Sequence, residues 1–155
     1  MTRILVLLGP NLNLLGRREP GVYGRRTLAQ MMERLEGSAR ELGYSVEVLQ
    51  SNHEGVLIDR LHEAQGTYAG VLFNPGGLAH TSVALRDAVA ACGVDVILVH
   101  LSNVWAREAF RHTELVGAAC RGGVVGLGEH GFLAGLWALH QMRRDASQKR
   151  SATSQ

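Results

Sequence analysis

Short apolar runs alternate with stretches whose apolar residues recur at helical spacing, and this alternation limits the fold more tightly than any other feature of the chain. The runs are RILVLL (3–8), YSVEVLQ (44–50), AGVLFN (69–74), VDVILVH (94–100) and GGVVGLG (122–128). After the first, Thr27 offers a helix N-cap, Leu28, Met31, Met32, Leu35, Ala39 and Leu42 fall on one helical face, and Gly43 supplies a stop. EGVLIDRLHEAQ (54–65), TSVALRDAVAAC (81–92, closed by Gly93) and FLAGLWALHQM (132–142) read as further helices. Strand and helix in strict alternation predict a parallel sheet covered on both faces. Five strands predict an α/β, flavodoxin-like doubly wound domain over residues 1–142. The polar tail, 143–155, is expected to be disordered, because it has too little apolar surface to offset the entropy of ordering.

Composition narrows the function classes. A chain of 155 residues with 46% hydrophobic content fits one domain with its own core. The net charge is only +2, and Arg143, Arg144, Lys149 and Arg150 sit in or beside the tail, so no nucleic-acid partner is expected. Cys92 and Cys120 form no C-x-x-C pair and read as core thiols of a reduced, cytoplasmic protein. ILVLL is broken at once by Gly9-Pro10-Asn11, and no run is long enough for a bilayer, so no membrane association is expected.

In an open parallel sheet, ligands bind beyond the carboxyl ends of the strands. That rule gathers Asn11, Arg17, Arg18 and Tyr23 after strand one, with Asn74, Pro75, Gly76, Gly77 and His80 after strand three. His100, Ser102, Asn103, Arg107 and Arg111 come at and after strand four. The pattern predicts a cleft lined by amide, guanidinium, imidazole and phenol groups. A phenol, with an ordinary pKa of about 10, acts as a base near neutrality only where positive charge stabilises the phenolate. Arg17, Arg18, Arg25 and Arg26 share the loop with Tyr23, and Gly16, Gly21 and Gly24 let it bend like a lid. Taken alone, His100 is as readily a structural histidine as a general acid or base. Arg107 and Arg111 share a face if their segment is helical, and could bind an anion or be solvated surface.

The remaining histidines have no metal-ligand spacing, and there is neither G-x-G-x-x-G nor a Walker-type loop, so neither a metal nor any other cofactor is expected. The single lysine, Lys149, lies in the polar tail, which excludes an imine formed by the folded core. Chemistry at a ketone would then run through an enolate held by hydrogen bonds.

GPNLNLLGRREPGVYG (9–24), SNHEG (51–55), NPGGLAHTSVALRDA (74–88) and VHLSNVWAREAFR (99–111) go further: from Ile4 to about Leu139 the chain resembles the type II 3-dehydroquinate dehydratases. The resemblance implies a cofactor-free hydro-lyase that converts 3-dehydroquinate to 3-dehydroshikimate by anti elimination. That step is shared by shikimate biosynthesis and quinate breakdown. It also implies a homo-oligomer, a dodecamer built from trimers. On this resemblance Tyr23 is the base, Arg18 stabilises it, Asn11 holds a water against the enolate oxygen, and His100 protonates the departing hydroxyl. Asn74 and the backbone of Leu101 and Ser102 grip the substrate carboxylate, His80 and Arg111 reach the ring hydroxyls, and Asp87 comes from a neighbouring subunit. Two positions depart from the family pattern. Leu98 stands where a glutamate is common, on the strand face of His100, and Ala91 where many members are acidic. A leucine cannot orient or charge an imidazole, so the alternative expectation is a slow or non-catalytic paralogue that binds a cyclic polyol acid.

Overall fold

The computed structural model describes residues 1–17 and 19–154. Among them, β1 (Thr2–Leu8), β2 (Tyr44–Gln50), β3 (Val71–Asn74), β4 (Val96–His100) and β5 (Gly122–Val125) form one parallel sheet in the order β2-β1-β3-β4-β5. The helices are α1 (Pro20–Tyr23), α2 (Leu28–Glu41), α3 (Glu54–His62), α4 (Val83–Ala91) and α5 (His130–Thr153). This is the α/β, flavodoxin-like arrangement that the alternation of elements predicts.

Strands β3 and β4, and β1 from Ile4 onward, are buried on both faces, whereas the edge strand β2 keeps Ser45 and Glu47 partly exposed. Ile4, Val6 and Leu8 of β1, Leu72 of β3, and Ile97 and Val99 of β4 pack against Met32 and Leu35 of α2 and Phe132, Leu136 and Leu139 of α5. Leu5 and Leu7, Val71 and Phe73, and Val96 point the other way, onto Leu57 and Leu61 of α3 and Leu85 and Val89 of α4. A one-residue slip in register would exchange these two sets, so each strand is fixed against its neighbours. Each fully buried leucine adds about 1.5–3 kcal/mol over an exposed one. Helix ends follow the local chemistry. Thr27 and Gln30 make a reciprocal capping box on α2, Gly43 follows that helix with φ 86°, and Ser82 Oγ accepts from the Leu85 amide to start α4.

Several boundaries differ from expectation, among them β5, which stops at Val125, short of residue 128. Helix α3 stops at His62, short of residue 65. More substantially, the tail expected to be disordered is helical, since α5 runs through Thr153. Residues 143–153 bury little, but they extend a helix already nucleated by its packed first turns, and adding a residue to a helix costs far less than starting one. No glycine or proline follows Gly135 to stop it. The Ser147, Ser151 and Thr153 hydroxyls donate to carbonyls one turn back at 3.0, 3.1 and 2.8 Å. No helix among the described residues is long and apolar enough to cross a membrane.

The topology brings the ends of β1, β3 and β4 to one edge. Leu8 lies beside Asn74 in register, and the Gly9 amide donates to the Asn74 carbonyl at 2.8 Å. Gly9 has to be glycine, because a Cβ there would lie 2.3 Å from the Pro75 carbonyl oxygen. The chains leaving β1 and β3 are thus pressed together into a continuous floor.

Candidate active site

Above that floor lies a cavity of about 200 Å³ lined by Asn11, Tyr23, Asn74, His80, His100 and Arg111, among others. Leu101, Ser102 and Arg107 complete the wall on the β4 side. A larger open depression, about 710 Å³, sits at the opposite ends of the strands beside Ala69, Asp95 and Arg121, and brings no candidate acid to a candidate base.

The imidazole side is buried and fixed by the sheet. His100 is the last residue of β4, and His80 sits on the 3-10 turn Gly76–His80 after β3; both are buried. Their rings stack, 5.7 Å between centroids and 14° from parallel. His80 Nδ1 lies 2.7 Å from the Thr113 carbonyl oxygen, which can only accept, so Nδ1 carries the proton and Nε2 is left for a ligand. His100 Nε2 lies 2.7 Å from Glu114 Oε2. The other oxygen of that carboxylate accepts from the Gly117 amide at 2.8 Å.

The phenol side is held by charged side chains. Tyr23 ends the one-turn helix α1 and is half-buried. Arg107 Nη1 donates to the Tyr23 hydroxyl oxygen at 2.8 Å and to Ser102 Oγ at 3.1 Å. Glu19 Oε2 lies 3.9 Å from the same guanidinium. At the far end of this loop Arg26 pairs with Glu129 at 2.8 Å, just ahead of α5. Arg107 and Arg111 do not share a helix. They belong to an irregular segment of 3-10 turns, Val104–Ala106 and Ala109–His112, with Arg107 extended between them. Arg111 Nε donates to Glu108 Oε2 at 2.7 Å. The Glu108 carboxyl is held below the usual carboxylate range, by its own backbone amide first and by Arg111 second.

Asn11 closes the cavity with a backbone in the left-handed region, φ 70°, which asparagine tolerates better than most residues. Its amide donates to Asn52 Oδ1 at 3.0 Å, and Gln50 Nε2 donates to the Gly9 carbonyl at 3.1 Å and to Asn52 at 3.2 Å. The SNHEG segment therefore works as a brace for the turn after β1. Asn74 Oδ1 accepts from the Gly76 amide at 3.1 Å, which leaves its side-chain N–H groups for the cavity.

The structure thus brings together Asn11, Tyr23, Asn74, His80, His100, Leu101, Ser102 and Arg111. Asp87 does not line this cavity and lies exposed on α4. Arg18 lies outside the described residues. Two side chains gain a place that sequence reasoning did not give them. Arg107 was visible as a cation of open purpose, but nothing in the spacing joins it to a tyrosine 84 positions away. Glu114 carries no periodic or motif signal at all. It also corrects the expectation drawn from Leu98: a carboxylate does reach His100, from the chain beyond β4 instead of from the strand.

The family model described as Dehydroquinase class II matches residues 2–140. A 3-dehydroquinate dehydratase of Desulforudis audaxviator is 55% identical over 88% of this chain and 91% of its own length. The 3-dehydroquinate dehydratase 1 of Agrobacterium fabrum is 51% identical over 88% of this chain and 94% of its own. The crystal structure of the type II dehydroquinase from Propionibacterium acnes superposes with a TM-score of 0.88 at 40% identity, covering 91% of this chain and 97% of that one. A parallel sheet with a phenol and an imidazole facing one small cavity at its carboxyl edge, matched along nearly the whole chain, places this protein in the class II dehydroquinase family.

Proposed function

We propose that the protein dehydrates 3-dehydroquinate to 3-dehydroshikimate with Tyr23 as base and His100 as acid. The observation that carries this reading is the meeting of Tyr23 and His100 on one cavity of about 200 Å³, with Arg107 donating to the tyrosine oxygen. A guanidinium hydrogen-bonded to an oxygen favours negative charge on it. The phenolate takes the proton alpha to the ketone, and the electron pair moves into an enolate. Asn11, through a water, stabilises the enolate oxygen. The enolate then re-forms the ketone, a carbon–carbon double bond closes, and the hydroxyl leaves with a proton from His100 as water. Tyr23 ends protonated and His100 neutral, so one proton returned through solvent resets the pair. Arg18 supports the phenolate in this reading.

The remaining residues bind. Asn74, with the backbone of Leu101 and Ser102, holds the substrate carboxylate, while His80 Nε2 and Arg111 meet ring hydroxyls. Asp87, exposed on α4, serves the site of a neighbouring copy in a trimer-based dodecamer. Leu98 and Ala91 point to a slow or non-catalytic paralogue, and the carboxylate of Glu114 2.7 Å from His100 supports the catalytic reading over it.

Purified protein is expected to convert 3-dehydroquinate to a conjugated enone that absorbs in the ultraviolet. Tyr23→Phe, which keeps the ring and loses only the hydroxyl, should abolish turnover while circular dichroism stays unchanged. Equal rates in the two proteins would remove tyrosine from the mechanism.

A further inference from the structure

Glu114 belongs to no regular element. It lies between the turn Ala109–His112 and the short turn Gly117–Ala119, yet its carboxylate is inserted against the end of β4. Both oxygens are committed, Oε2 to His100 Nε2 at 2.7 Å and Oε1 to the Gly117 amide at 2.8 Å. Gly117 makes the insertion possible. A Cβ on it would stand 2.6 Å from Glu114 Cγ and 2.7 Å from Leu98 Cδ2. Strand, loop and carboxylate therefore meet at a point where any side chain in place of glycine would push Glu114 and Leu98 aside.

The charges around His100 give this contact its meaning. Arg107 and Arg111 share its cavity, His80 stacks on its ring, and Tyr23 lies across the space. Glu108 and Glu19 are turned to the two arginines. Two guanidiniums and a second imidazole oppose a further positive charge, whereas an adjoining carboxylate favours one. A carboxylate that only accepts also fixes the proton on Nε2. The nitrogen free to hand a proton to a ligand is then Nδ1, which carries one only in the imidazolium.

We propose that Glu114 is the positioning residue of the acid: it holds His100 by Nε2–H and stabilises the imidazolium whose Nδ1 proton goes to the departing hydroxyl. This rests on His100 being the acid of the reaction proposed above. The arrangement resembles the carboxylate–histidine pairs that orient metal-ligating imidazoles, without the metal.

Glu114→Gln is the informative change, because its carbonyl can keep the Gly117 bond. Its amide would then donate to Nε2, turning that nitrogen into an acceptor and disfavouring the imidazolium. We expect kcat to fall about 10- to 100-fold, the range for loss of such a partner, with KM within about twofold, the signature of an interaction made in the transition state. Nitrogen NMR of histidine-labelled protein should show Nε2 of His100 losing its proton. Adding Leu98→Glu to this variant should restore most of kcat, since residues 98 and 100 share a strand face and Leu98 and Glu114 crowd the same glycine. A Glu114→Gln protein with unaltered kcat and an unaltered His100 signal, where His100→Ala is slow, overturns the proposal, as does a loss confined to KM. Should His100→Ala turn over normally, the acid reading itself falls, and the NMR signal still decides whether Glu114 holds Nε2–H.

Discussion

The two halves of the site are held by different means. His100 and His80 stand on or next to strands, are almost fully buried, and have ring nitrogens bonded to a carboxylate and a carbonyl. Tyr23 stands on a four-residue helix inside a long loop, half-exposed, and its hydroxyl is met by a guanidinium from a different segment. An acid that must give its proton to one atom gains from a rigid mount, whereas a base on a loop can withdraw to admit substrate and return when the loop closes. The side of the proposed base thus depends on charge to hold its geometry, whereas that of the proposed acid adds burial and packing to its hydrogen bonds. Substitutions on the two sides should therefore fail in different ways.

Among the residues that hold the two groups in place, the largest effect is expected from Arg107. It joins the tyrosine oxygen, Ser102 and Glu19, so Arg107→Met should remove both a charge and a tether from the base. Loss of one preorganised donor of this kind costs about 10²- to 10³-fold, to be read as kcat/KM in the enone assay with the thermal midpoint little changed. Arg107→Lys should recover only a part, because an ammonium cannot reproduce the two hydrogen bonds of one guanidinium nitrogen in the same geometry. An Arg107→Met protein as fast as the parent would mean that charge does not hold the base.

The same contrast explains how much could be read in the sequence. The parallel sheet and the edge that carries the site were legible because each strand is a bounded apolar run and each packed helix repeats its apolar face. Tyr23, His80 and His100 were legible because the topology sends the chain after β1, β3 and β4 to one place. The partners of those groups were not. Arg107 and Glu114 sit in the irregular stretch between β4 and β5, where side-chain direction follows no period, and they act across 84 and 14 positions of chain. Leu98 misled for a related reason: the strand residue was visible, and the loop residue that takes over its space was not. The tail misled on thermodynamic grounds, since poor composition tells against founding a helix but not against prolonging one.

The acid side can be tested through packing alone with Gly117→Ala. The added methyl would stand 2.6 Å from Glu114 Cγ and 2.7 Å from Leu98 Cδ2, so both side chains have to shift. Overpacking of this kind costs about 1–3 kcal/mol, seen as a lower denaturant midpoint, and kcat should fall with it because the displaced carboxylate is the one on His100. The half-buried Cys120 nearby offers an internal control. Burial first, and the Glu114 charge second, push its thiol up to about 12, so it should resist alkylation at mildly alkaline pH in the parent. Faster labelling of Cys120 in Gly117→Ala would report that this corner has opened. A variant as stable and as fast as the parent would show that the glycine is not required there.

The smallest effect should come from Asn52, which touches neither half of the site directly. Its side-chain oxygen accepts from the Asn11 amide at 3.0 Å and from Gln50 at 3.2 Å, and so keeps Asn11 in its left-handed conformation. Asn52→Ala removes exposed hydrogen bonds worth about 0.5–1.5 kcal/mol each, and the Asn11 amide can turn to water instead. Stability should fall by no more than that, while kcat drops a few-fold with KM almost constant, because in the proposed mechanism Asn11 serves the oxygen on which charge develops and not a group bound equally throughout. If instead KM rises and kcat is spared, Asn11 acts in binding the ground state, and the enolate has to be stabilised from the imidazole side of the cavity.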